Sequence, residues 1–192
     1  MNVYDFDKTI YDGDSSIDFY LFSLKKNPLI AALLPYQAAA MLLYKLKIIS
    51  KTKMKECFYK YFKFFSNIED EIEIFWNKNE SKMKKWYLND KKKDDDVIIS
   101  ASPEFLLAPI CKRLEIIHLL GSVVDKKNGA YTGLNCYGAE KVRRFYEIFG
   151  TVGIEEFYSD SLSDSPLAEI SSQSFLVTGD NLNSKGFLRL KP

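Results

Sequence analysis

Histidine is nearly missing from this chain. His118 is the only one in 192 residues and sits in the apolar run LEIIHLLG, where a structural residue is expected rather than a general base. Chemistry built on a histidine base therefore has little material. Cysteine is scarce too: Cys57, Cys111 and Cys136 are an odd number at wide intervals. They lack the CxxC spacing of a structural zinc site and read as small core residues of a protein in a reducing compartment. Neither sign of charge is in excess, since 27 Lys and Arg stand against 26 Asp and Glu for a net charge of +1. The bulk attraction to polyanions is then missing, and no nucleic-acid partner is expected. Two glycine signatures are absent as well. Nothing matches GxxxxGK[ST] and no GxGxxG follows the first strand, so neither a P-loop nucleoside triphosphatase nor a dinucleotide oxidoreductase is supported. The opening MNVYDFDKTIYD has acidic residues where a cleaved leader would be basic and then apolar, and the expected location is cytoplasmic.

What the chain does contain is a core. Hydrophobic residues make up 46% and aromatic residues 15%, with 14 Phe, 12 Tyr and 2 Trp, a composition incompatible with a mainly disordered chain. The length suits one main domain carrying a modest insertion. Short apolar segments at 2–6, 97–100, 116–120, 156–159 and 175–178 read as strands, and helical patterns fill 104–114, 139–149 and 166–170. This alternation predicts an α/β fold with a central parallel sheet flanked by helices. Ligands of such sheets bind outside the carboxyl ends of the strands, which directs attention to Asp5, Ser100 and Asp160.

The stretch from 15 to 90 is different, with long helical patterns and little that reads as strand. It is expected to be an inserted helical domain, starting near Ser15 and closed by Trp76 and Trp86, with residues 1–14 and 91–192 forming the α/β core. Its most apolar part, 29–44, has lysines on both sides. It is shorter than the roughly 20 apolar residues of a membrane span and is interrupted by Pro35 and Gln37, so no stable span is expected. A buried helix is the leading reading; the alternative is an exposed apolar face that touches a membrane surface or a lipid-like substrate. The block Lys91 to Asp96, KKKDDD, reads as a solvated return connection. Gly129, Gly133 and Gly138 read as turn and close-packing positions.

Asp5-Phe6-Asp7 follows the first strand directly and is succeeded by Lys8-Thr9. Backbone amides after a strand can point toward an anion while the acidic side chains face the same pocket. Two carboxylates beside a phosphate would repel it unless a hard cation such as Mg²⁺ compensates. Asp160 and Asp164, four apart in SDSLSD, can complete the acidic set from another strand end. Ser100 and Lys141 would then hold the phosphoryl group.

In this order the motifs resemble those of the haloacid dehalogenase (HAD) superfamily of phosphohydrolases, especially its phosphoserine-phosphatase-like branch. Asp5 to Thr9 match its DxDxT motif, Ser100 its second motif, Lys141 in YGAEKVRR its third, and Asp160 with Asp164 its DxxxD fourth. The resemblance implies a Rossmann-like core with an inserted α-helical cap at 15–90. It implies Asp5 as nucleophile, Asp7 as acid/base, and Thr9 as support for their loop. It further implies Mg²⁺ on Asp5, Asp7, Asp160 and Asp164, with the phosphate held by Ser100, Ala101, Lys141 and the amides near Phe6 and Asp7. Asp14 stands where phosphoserine phosphatases commonly place a Glu, which counts against phosphoserine itself. The implied activity is Mg²⁺-dependent hydrolysis of a small phosphorylated metabolite or a lipid-like phosphomonoester. Phosphoryl transfer to another acceptor, or membrane-surface binding with lost catalysis, are the alternatives, and the oligomeric state is left open.

Overall fold

The computed structural model describes residues 1–187. Its centre is β1 (Val3–Tyr4), two residues with no exposure, paired in parallel with β2 (Val97–Pro103) on one side and β4 (Ile154–Ser159) on the other. With β3 (His118–Ser122), β5 (Ser171–Thr178) and β6 (Asn181–Asn183), the sheet order is β3-β2-β1-β4-β5-β6. Strands enclosed on both faces need apolar residues on both, and Val97, Ile98 and Ile99 supply an unbroken buried run. Helices α5 (Glu104–Arg113), α6 (Ala139–Phe149) and α7 (Ser165–Glu169) lie in the crossovers. The chain leaves β1 to build one half of the sheet and returns beside it as β4. This reversal opens a crevice at the carboxyl ends of β1 and β4.

The expected parallel α/β sheet is present, with an antiparallel addition: β6 pairs with β5 as a hairpin. The three-residue β6, Asn-Leu-Asn, is too short to show a period, and the first four residues of β5, Ser171–Ser174, are polar and carry no apolar signal. β2 continues past Ser100 to Pro103, with its register on β3 shifted between Ile99 and Pro103. Ser100 thus lies in an irregular stretch rather than at the strand's last residue.

Tyr4, Tyr158 and Phe175 occupy matching positions on β1, β4 and β5 and stack, with centroids 4.8 and 4.7 Å apart. Trp86 leans on Tyr158 at 5.5 Å, so it covers the sheet rather than closing the helical region. Trp76 does serve the helices: it is fully buried, and its Nε1 donates to the Leu106 carbonyl at 2.7 Å, tying α4 (Ile68–Asn79) to α5. The charge block is not wholly solvated either. Asp96 is buried and accepts from the Lys93 amide and the Tyr87 hydroxyl.

From 15 to 91 the structure is helical. α1 (Ser15–Lys26) starts where Asp14 accepts from the Ile17 amide, an ordinary N-cap. A 3₁₀ helix (Pro28–Leu33) leads into α2 (Leu34–Lys45), followed by α3 (Lys51–Tyr59), which Ser50 caps. The reading of 29–44 as a buried helix is overturned. Within α2 only Gln37 and Ala40 are buried, while Leu34, Leu42 and Leu43 are exposed. A helix apolar on all sides carries no periodicity to select its inward face. Contact is made by Gln37, which accepts from the Tyr20 hydroxyl and donates to the Phe58 carbonyl. Among the described residues no single helix is long and apolar enough to cross a membrane.

The cysteines are free and buried, as their core reading requires. His118 packs edge-on against Phe149.

Candidate active site

A cavity of about 580 Å³ lies over the carboxyl ends of β1, β2 and β4. Asp5, Asp7, Ser100, Lys141, Asp160 and Asp164 all line it, so residues as far apart as 5 and 164 converge on one space. β1 delivers Asp5. The following turn places Lys8 in the left-handed conformation at φ 57° and folds Asp7 back toward the start of α1. β4 delivers Asp160, and α6 delivers Lys141 from its first turn.

Lys141 is the centre of the polar network. Its Nζ donates to Asp5 Oδ1 and Asp164 Oδ2, each at 2.7 Å, with only 2% of its side chain exposed. Burial by itself lowers a lysine's pKa, but here the two carboxylates outweigh it and hold the ammonium charged. Asp164 Oδ2 also accepts from Ser159 Oγ at 2.8 Å, whereas its buried Oδ1 has no partner among the described residues. Asp5 is pushed up to about 7, chiefly by burial, with Lys141 opposing and Asp164 adding to the rise. Asp7 is pushed up to about 6 by burial and by Asp14, against hydrogen bonds from Ser102 Oγ at 2.5 Å and the Ser15 amide at 2.6 Å. Burial raises Asp160 as well, with Lys8 opposing.

The remaining expected residues take varied places. The Ser100 hydroxyl accepts from the Ser102 amide at 3.1 Å, which leaves its own proton available to the cavity. Ala101 lines the same wall, and its carbonyl accepts from Lys55 and Ser122. Thr9 is fully buried beneath the cavity, and its Oγ1 accepts from the Asp160 amide at 3.0 Å, joining the β1 and β4 loops. The Phe6 side chain is buried against Tyr11 and Trp76, so only its backbone is available to a ligand. Asp14 caps α1 and lines the cavity rim.

Two residues in the site were not expected. Ser102 is fixed on Asp7, and its spacing of two from Ser100 on an extended strand was the available signal. Lys55 reaches in from α3, with Nζ donating to the Ala101 carbonyl at 2.9 Å, and burial lowers its pKa to about 8. Nothing in KTKMKE separates it from its neighbours.

The donor set suits a hard divalent cation. Asp5, Asp7, Asp160 and Asp164 present oxygen atoms around one space, and the unpartnered Asp164 Oδ1 is a buried acceptor without a donor. Among the described residues no three acidic, His or Cys side chains are already drawn into a metal cluster. The fit is therefore one of chemistry and charge, with Lys141 bridging two of the carboxylates.

The model of a family described as haloacid dehalogenase-like hydrolase matches residues 3–169. A probable phosphatase of Mycobacterium tuberculosis is 32% identical over 93 residues, covering 45% of this chain and 32% of that protein. A histidinol-phosphatase of Neisseria meningitidis is 29% identical over 103 residues, covering 45% of each. The match thus spans under half the length of these curated relatives. A solved structure of a Bordetella pertussis protein of unknown function has the same fold, with a TM-score of 0.73 at 20% identity over 91% of this chain and 87% of that one.

Proposed function

The chain belongs to the haloacid dehalogenase-like hydrolases, and from that premise we propose that it hydrolyses a phosphomonoester through an aspartyl-phosphate on Asp5. The observation that carries the reading is the buried Lys141 ammonium clamped between Asp5 and Asp164 at the sheet's reversal point. Asp5 lines the cavity, and with Oδ1 taken by Lys141 its Oδ2 has no hydrogen-bond partner among the described residues. The phosphatase names of the mycobacterial and neisserial relatives support the same chemistry. In this reading residues 1–14 and 91–192, of which 188–192 lie outside the described residues, are the catalytic core, and 15–90 form a cap that contacts the leaving group.

Asp5 Oδ2 attacks phosphorus, an O–P bond forms, and the bond to the leaving oxygen breaks. Asp7 gives that oxygen its proton. Its pKa of about 6 keeps proton exchange accessible near neutrality. Asp7 then takes a proton from water as the water attacks the phosphoryl group, releasing inorganic phosphate and restoring Asp5. Lys141 and Ser100, with the amides near Phe6 and Asp7, hold the phosphoryl oxygens while negative charge builds on them. Mg²⁺ would be held by the carboxylates of Asp5 and Asp160 and the backbone carbonyl of Asp7, with Asp164 beside it. When bound it would supply charge neutralisation at the phosphoryl group. Thr9 keeps the loops of Asp5 and Asp160 in register, and Ser102 orients Asp7.

A screen of phosphomonoesters with Mg²⁺, repeated in EDTA and with Asp5→Asn, tests the proposal. The expected result is phosphate release that EDTA abolishes and that Asp5→Asn lowers by roughly 10³-fold or more. Turnover retained in Asp5→Asn overturns the nucleophile assignment.

A further inference from the structure

One face of the helical region is unlike the rest of the molecule. Between Asp18 and Glu56 the sequence contains no acidic residue but seven lysines, in a chain whose total charge is only +1. The remainder is therefore net acidic. The same stretch exposes Leu29, Leu34, Leu42, Leu43, Leu46 and Ile48, each between 37% and 70%. Lys47 has a φ of 58°, turning the chain out of α2, and Leu46, Lys47 and Ile48 around it are all exposed. Lys26 and Lys53 are ion-paired with Glu71 and Glu56 and Lys55 turns into the cavity, whereas Lys25, Lys45 and Lys47 stay exposed, the last two flanking Leu46; apolar side chains set among such basic ones are the pattern of an interfacial helix on anionic lipid.

The helical region also supplies part of the cavity wall. That part includes Met41 from α2, Met54 and Phe58 from α3, and the half-exposed Ile17 and Leu21 from α1. Apolar side chains from three helices thus share the cavity with the carboxylates, and Lys55 sits there beside Ala101. Ser16, Tyr20, Lys51 and Lys55 add polar groups to that wall, and its apolar part suits an acyl or other hydrocarbon chain.

We propose that this face docks on an anionic lipid bilayer and that the ester cleaved at Asp5 carries an apolar tail drawn from that bilayer. The second half rests on the phosphatase reading; the first does not. The association is interfacial rather than spanning. α1 and Pro28–Lys45 reach the length and apolarity of a span only as a pair bent by 118°. A second copy of the chain is a poorer occupant, because a two-fold contact would set the lysines of one protomer against those of the other.

The test uses the full chain, vesicles of phosphatidylcholine with and without phosphatidylglycerol, and a variant combining Leu42→Glu with Leu46→Glu. Both positions are exposed and lie outside the catalytic set, so turnover of soluble p-nitrophenyl phosphate should be unchanged. The native protein should sediment with anionic vesicles and less with neutral ones, and the variant should bind at least roughly tenfold more weakly. Phosphate release from phosphatidic acid in those vesicles should fall in parallel. Native protein that stays in the supernatant overturns the docking, as does a variant that binds as well as native. A dimer that the variant dissolves, without vesicle binding, gives the face to a second copy and overturns it too. Hydrolysis of the soluble ester but not of phosphatidic acid refutes the lipid substrate alone. Vesicle binding with no hydrolysis of any ester in Mg²⁺ refutes the phosphatase reading and supports the docking.

Discussion

Asp7 accepts from the Ser102 hydroxyl and the Ser15 amide, so its position is fixed from β2 and α1 together. In Asp7→Asn the shape is kept but the proton is lost. Phosphorylation of the enzyme, followed in a single turnover, should slow by roughly 10²–10⁴-fold for an alkyl phosphate, and much less for p-nitrophenyl phosphate, whose leaving group departs without protonation. Equal losses for both esters would show that Asp7 is not the acid. Lys55 gives a pH signature. Burial brings its pKa down to about 8 from an ordinary 10.5, so it is charged below that pH and neutral above. Substrate affinity should therefore decline as pH rises through about 8, and Lys55→Met should raise KM at neutral pH and flatten that limb. A limb that persists in the variant assigns it elsewhere. At this scale the sequence was most legible where backbone and chemistry coincide, as in Asp5, Asp7, Asp160 and Lys141. Lys55 was hidden because its place depends on how α3 packs over β2, which no local pattern records.

Elements were legible to the extent that burial left a periodic mark. The boundaries of α6, at Ala139 and Phe149, follow directly from its pattern. The polar start of β5 and all of β6 left none, and α2 shows the converse failure, apolarity without burial. The turn after β3 is held against α3 by a close approach at Gly129. Its φ is 74°, and an added Cβ would lie 2.4 Å from the Tyr59 Cβ and 2.5 Å from its carbonyl oxygen. Gly150 has φ 59° and open space around the same position. Gly129→Ala should cost more than about 2 kcal/mol, against about 1 kcal/mol for Gly150→Ala, in urea unfolding. Similar costs would mean that the Gly129 contact with Tyr59 yields easily.

For the whole molecule, near neutrality in total charge conceals two unlike regions: carboxylates gathered at the sheet's reversal point and a helical stretch between Asp18 and Glu56 that holds seven lysines and no acid. The α/β class and the strand ends that matter could be read from the chain because crossover topology fixes where their loops meet. The burial of 29–44 could not, because it depends on which face of α2 the neighbouring helices leave free. The convergence of residues 5, 100, 141, 160 and 164 on one cavity makes covalent chemistry at Asp5 the central claim. Quenching turnover with borohydride and sequencing the peptides by mass spectrometry tests it most directly, since an acyl phosphate is reduced whereas a free carboxylate is not. Reduction is expected at position 5 alone, dependent on substrate and enhanced in Asp7→Asn, where the second step slows. An active enzyme with Asp5 unmodified under those conditions would contradict it.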